Sequence, residues 1–257
     1  MPGRAVIPAG LLFSFLLALS RVGGVVAFLP LPGIRNAPDM TRIVLALSMT
    51  FCLYASWPPP PAADPGMITL ALWVLSEAAF GLLLGLVVSV VVESFQLATQ
   101  IIGLQAGFSY ASTVDPGSQA DTTILQVFAQ LLACCLFFTL GLHRDLLALL
   151  GRSFETIRPG TFVPGSAAVE PAIRFTGAIF STGLRIAFPL VALLLLVDIA
   201  LALLSRIQAQ LQLISMAFPA KMLAGIGFFA FTLWASPAVA EAAFRRALEA
   251  ATSLVVR

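Results

Sequence analysis

The stretch Glu77–Gly107, EAAFGLLLGLVVSVVVESFQLATQIIGLQAG, decides the fold. After Glu77, small or polar residues recur at Gly81, Gly85, Ser89, Glu93, Gln96, Gln100, Gly103 and Gly107, while Leu, Val, Ile and Phe fill most positions between. Steps of three and four residues match an α-helix of about 3.6 residues per turn, so one long helix is predicted, with a stripe that does not suit lipid. The early steps of four wind the stripe around the helix by roughly 40° each, and the later spacing keeps nearly one face. Such a helix crosses more than one neighbour. Gly81 and Gly85 form a small-xxx-small pair that lets two backbones approach closely, and the Gln side chains can bond across to a partner or line water. Packing inside the chain and a wall turned to other subunits or to a conduit both fit the pattern.

Working outward, the composition is that of a membrane protein. Of 257 residues, 60% are hydrophobic and 10% charged, and the mean hydropathy is +1.01, whereas a soluble domain carries roughly a quarter charged residues. Apolar runs that reach or approach the roughly 20 residues needed to cross a bilayer core cover 5–29, 43–57, 68–92, 124–142, 172–204 and 211–240. None alternates as the strands of a membrane barrel would. The expected fold is therefore all-α: a polytopic membrane protein of about six apolar helical segments arranged as kinked hairpins, a single domain over 1–257. The first twenty residues could pass for a signal peptide, but the apolar pattern resumes after Arg21, which favours a retained helix.

Prolines and glycines at 29–39, 57–66 and 158–171 predict loops. The 57–67 and 93–123 connections carry no Lys or Arg, while 143–174 carries Arg144, Arg152, Arg158 and Arg174, which places that last connection in the cytoplasm. The net charge of +2 is small and scattered, so lipid and protein are the expected partners and nucleic acid is not. Cys52, Cys134 and Cys135 lie in apolar runs without metal spacing and read as packing residues.

Ionisable groups inside apolar runs are candidates for function by default. Glu77, Arg185 and Asp198 are of this kind, and Arg21 is a further charge in such a run. Arg185 and Asp198 face different sides of one helix and no second carboxylate or His lies a turn away, so pairing with neighbouring helices is expected over a proton path. Pro189 cannot donate to the carbonyl of Arg185, and a kink is expected there. His143, the one histidine, has no nucleophile motif to serve, and no metal, phosphate-loop or dinucleotide motif occurs. The chain is read as a non-enzyme with no catalytic residue, metal or cofactor. A small-molecule or ion transporter is the alternative, and it would want a paired acidic or broken-helix site.

Between two apolar runs lies GLQAGFSYASTVDPGSQADTTILQ, Gly103–Gln126, polar and rich in small residues. The longer run 101–160 resembles the signature of the FliR family of flagellar biosynthetic export-gate proteins. The pattern G-x-Q-x-G, an aromatic, D-P, then G-x-H and S-F before a proline is met by Gly103, Gln105, Gly107, Phe108, Asp115, Pro116, Gly141, His143, Ser153, Phe154 and Pro159. A second patch resembles the family's late segment through Asp198, Leu201, Leu204, Arg206, Gln210, Leu211, Phe218, Pro219, Lys221 and Gly225, with Ala209 where the family usually has Pro.

The resemblance implies a subunit of an export gate in the bacterial inner membrane, within the flagellar basal body. Its partners would be two smaller membrane subunits in a hetero-oligomer, a further export-switch membrane protein and unfolded flagellar substrates. It implies that the loop after the Gln-bearing helix is a pore plug, here Phe108, Ser109, Tyr110, Asp115, Pro116, Gly117 and Asp121. Polar irregular backbone at membrane depth is tolerated where it lines water. The residues expected at subunit interfaces or lining the pore are Gly81, Gly85, Glu93, Gln96, Gln100, Gly103, Gln105 and Gly107. Arg185, Asp198, Arg206 and Lys221 are expected as structural polar groups in the membrane.

Overall fold

A computed structural model describes residues 8–29, 39–59, 66–107, 124–162, 166–207 and 213–255. The described residues form α-helices α1 (Ala9–Phe28), α2 (Asp39–Cys52), α3 (Met67–Ala106), α4 (Ile124–Thr139), α5 (Leu142–Thr156), α6 (Ser166–Ile207) and α7 (Leu213–Val255), with a 3-10 turn at Tyr54–Ser56. No strand occurs among them. The protein is an all-α polytopic membrane protein.

The count of spans is lower than six. Among the described residues, Ala9–Phe28, Met67–Ala106 and Ile179–Arg206 are long and apolar enough to cross a membrane, and a fourth arises if the bent pair Gln126–Thr139 and Leu142–Thr156 is one span. The 43–57 run fails because α2 has 14 residues, about 21 Å of helix against a core of about 30 Å. The run 211–240, whose first two residues lie outside the described set, is not among the spans.

Other boundaries also differ from the sequence expectation. The 143–174 connection is largely helical, because α5 has its own apolar face: Leu142, Leu146, Leu149, Leu150 and Phe154 are buried while Arg144, Asp145 and Arg152 are exposed. It meets α4 at 65°, where Gly141 adopts a positive φ of 73° that favours glycine. Helix α6 starts at Ser166 and runs on through Pro171 and Pro189, since each proline removes one backbone donor and the rest of the ladder remains. Helix α7 extends past the expected end of its apolar run to Val255, with Phe244, Ala247 and Ala251 buried on one face. Of the cysteines, Cys134 is buried, and Cys52 and Cys135 are exposed.

The chain divides into two compact units. The first comprises Met1–Val90, Phe137–Thr176 and Phe244–Arg257. There α1 and the start of α3 run parallel and in backbone contact. A Cβ on Gly24 would lie 2.6 Å from the carbonyl oxygen of Ala78, and one on Gly85 2.7 Å from that of Val25. A Cβ on Gly81 would run into the carbonyl of Arg21. The second unit comprises Val91–Leu136 and Gly177–Ala243. Its core is Ala98, Ile102 and Ala106 of α3 against Ala187, Leu190 and Leu194 of α6.

Candidate functional site

The candidate site lies in the second unit, where α3 brings its polar residues to its C-terminal end. Ala98, Ile102 and Ala106 recur every four residues, and Ala187, Leu190 and Leu194 recur by three and four, so each helix presents one apolar face to the other. Small residues allow the approach: a Cβ on Gly183 would sit 3.0 Å from the carbonyl oxygen of Ser94 and 3.1 Å from the Leu97 side chain. One turn beyond Leu194 the same face of α6 carries Asp198. Opposite it, Gln105 donates from Nε2 to Asp198 Oδ2 at 3.2 Å. Lys221 of α7 forms an ion pair with Asp198 Oδ1. A carboxylate in an apolar helix thus receives a cation and an amide from two other helices, which lowers the cost of holding it in low dielectric. The lysine side chain is 15% exposed and the aspartate 40%.

The remaining stripe residues differ in their surroundings. Gly103 is buried, Glu93, Gln96 and Gly107 are half-buried, and Gln100 is exposed. Gly107 ends α3 with a positive φ of 86°, the left-handed conformation that stops a helix at low cost only for glycine. Gly81 and Gly85, grouped with these residues in the sequence reading, belong to the first unit, and their close contact is with α1 of the same chain. Arg185 and Arg206 are exposed on α6, and the pairing with a neighbouring helix expected for Arg185 is not seen among the described residues. Phe108, Ser109, Tyr110, Asp115, Pro116, Gly117 and Asp121 lie outside the described residues.

The sequence marked Asp198 and Lys221 as polar groups in apolar surroundings without pairing them. It named Arg21 and Glu77 as charges in apolar runs, again without pairing them. The available signal was the coincidence of opposite charges in apolar helices, each of which needs a partner at matching depth.

The chain matches the bacterial export proteins, family 1, over residues 12–247. It belongs to that family. The flagellar biosynthetic protein FliR of Escherichia coli K12 is 33% identical over 214 residues, covering 82% of this chain and 81% of the relative. FliR of Bacillus subtilis 168 is 29% identical, covering 81% and 82%. The surface presentation of antigens protein SpaR of Salmonella typhimurium LT2 is 26% identical over 242 residues, covering 93% and 89%. The resemblance to the FliR family therefore holds. As a member of this export family, the chain is a membrane component of a flagellar or type III export apparatus.

The geometry of Asp198 yields a test within that family. Asn at this position keeps an oxygen for Gln105 and loses the ion pair, which for a partly exposed pair is worth about 0–1 kcal/mol. Asp198→Asn is expected to leave complex yield and flagellar export substantially intact, measured by swimming and by secretion of flagellar subunits. Abolished export at normal assembly would overturn the structural-packing role of Asp198 and favour a proton path.

Proposed function

We propose that the chain is a subunit of the flagellar type III export gate, acting as one domain in the bacterial inner membrane at the basal body. With two smaller membrane subunits and a further export-switch membrane protein it forms the channel through which unfolded flagellar proteins leave. The stripe residues Glu93, Gln96, Gln100 and Gly107 face partner subunits or the pore, and 108–121 plugs that pore when the gate is closed.

The observation that carries this reading is the length over which α3 exposes apolar surface. Met67 at its start is 90% exposed and Leu104 near its end 61%. Along a helix of 40 residues that is about 55 Å of contour at 1.5 Å per residue, nearly twice a bilayer core of about 30 Å. Lipid standing at one level along this helix covers only part of that surface, and protein neighbours are the natural cover for the rest. Exposed Gln100 on the same helix favours a polar neighbour or water over lipid.

The test is to extract the full-length protein with mild detergent and run it on a native gel, with mass-spectrometric identification of what migrates with it. A large heteromeric complex containing smaller membrane export proteins is expected. Migration as a monomer or small homo-oligomer would overturn the gate assignment in favour of a transporter.

A further inference from the structure

Arg21 of α1 and Glu77 of α3 are buried, with side chains 0% and 1% exposed, each in a largely apolar stretch of its helix. Arg21 Nε donates to Glu77 Oε2 at 2.5 Å, and its Nη1 donates to Ser153 Oγ of α5 at 2.9 Å. Its Nη2 donates to the carbonyl oxygen of Ile157 at 3.4 Å. The guanidinium lies over the rings of Phe80 and Phe154, 4.9 and 4.6 Å from their centroids. The second carboxylate oxygen, Glu77 Oε1, accepts from the backbone N–H of Gly160 at 3.0 Å. All of these residues belong to the first unit.

We propose that Arg21 and Glu77 are positioning residues, a charged clasp that seats the turn Ile157–Phe162 on α3. The pair is kept charged for that placement and not for stability. A buried ion pair is weak ground for stability, because apolar side chains of similar volume often serve as well or better. What apolar side chains cannot do is hold backbone groups of a turn. Here the guanidinium fork takes the carbonyl of Ile157 and the carboxylate takes the amide of Gly160, so one pair captures the turn at two points.

The turn is shaped to be captured. Gly160 has a positive φ of 75°, and a Cβ there would run into the Trp73 ring of α3. Ser76 Oγ donates to the carbonyl oxygen of Phe162 at 2.5 Å, and the Phe162 ring meets Phe80 edge-on at 5.1 Å. Trp73, Ser76, Glu77 and Phe80 recur at steps of three, one and three, so they share one side of α3 and form the seat. These contacts lie within one chain and do not depend on a pore.

The test uses the full-length protein in its native membrane, with Cys52, Cys134 and Cys135 replaced and Ser76→Cys combined with Phe162→Cys as the reporter. Seating is read as the rate of disulfide formation under mild oxidation. The intact pair is expected to cross-link rapidly. Arg21→Lys keeps the charge but loses the fork, and Arg21→Met with Glu77→Leu removes both charges. Both are expected to accumulate in the membrane close to the parent level and to cross-link at least about 10-fold more slowly, as release of captured backbone groups implies. Cross-linking at the parent rate in either variant would overturn the positioning role. Failure of either variant to accumulate would overturn the claim that the charges serve placement and not stability.

Discussion

Gly81→Leu is expected to abolish accumulation of the protein in the membrane, and Gly81→Ala to lower it severely. The hydrogen on Gly81 points at the carbonyl of Arg21, and a Cβ there would overlap that backbone oxygen and approach the Cα of Gly24 to 3.1 Å. Neither neighbour is a flexible side chain that can swing aside. The helices would have to separate, which also pulls Arg21 away from Glu77 and strips a buried ion pair of its geometry. Overpacking a tight core commonly costs about 1–3 kcal/mol, and displacement of a charged network places Gly81→Leu above that range. Gly23 provides the control, because a Cβ there meets nothing within 4 Å. Gly23→Ala should be neutral or slightly stabilising, since Ala is the better helix former by about 1 kcal/mol. The measurement is the level of full-length protein in membranes and its melting in detergent. Equal levels for Gly81→Ala and Gly23→Ala would refute backbone contact between α1 and α3.

The long helix was readable because its pattern is local. Small residues at Gly81 and Gly85 and polar ones from Glu93 to Gln105 follow helical spacing, and α3 carries them all without a break. Local signals served less well elsewhere. Pro171 suggests a loop end, yet α6 starts before it and runs through it, because a proline forfeits one hydrogen bond and surrounding residues decide whether the helix survives. In the 143–174 stretch the arginines dominate the charge pattern and mask the apolar face at Leu142, Leu146, Leu149 and Leu150 that makes it helical. Length misled in the case of α2, where the apolar run included a 3-10 turn and Trp57 that cannot extend the helix.

The candidate site divides in the same way. That Asp198 needs a partner follows from its surroundings alone, but its pairing with Lys221 and Gln105 depends on three helices meeting. Spacing along one chain does not encode which helices meet. The clasp shows this more sharply: Arg21, Glu77, Ser153 and Gly160 come from well-separated segments, and Ser153 and Gly160 carry no charge that would flag them. The two ion pairs also differ in kind. Arg21 and Glu77 are sealed from solvent with a partner at each polar atom of both side chains, whereas Asp198 is partly exposed. Breaking one side of the first leaves an uncompensated buried charge, and breaking the second leaves one that water can reach.

Deletion of Ser109–Ala120 is expected to turn a sealed assembled gate into a leaky one. The expectation starts from composition: Phe108 to Asp121 contains no Lys or Arg and few large aliphatics, with Asp115–Pro116–Gly117 as a turn sequence. Such a segment has little with which to bind lipid or enter a dry core. It follows directly on Gly107, where α3 stops in a left-handed conformation, and on Gln105, which is tied to Asp198. The stem at the end of α3 is therefore anchored by contacts that do not involve the deleted residues, so the helices should still assemble. If the segment fills an aqueous pore, its removal raises ion conductance of the purified complex in a planar bilayer from near zero to a steady open level. If it is a connector outside the membrane, conductance stays unchanged. Assembly is checked first on a native gel, since an unassembled chain would conduct nothing for a trivial reason. A fully assembled complex that remains tight after the deletion would remove the plug from the proposed function, while the gate assignment would still rest on the partners that migrate with the chain.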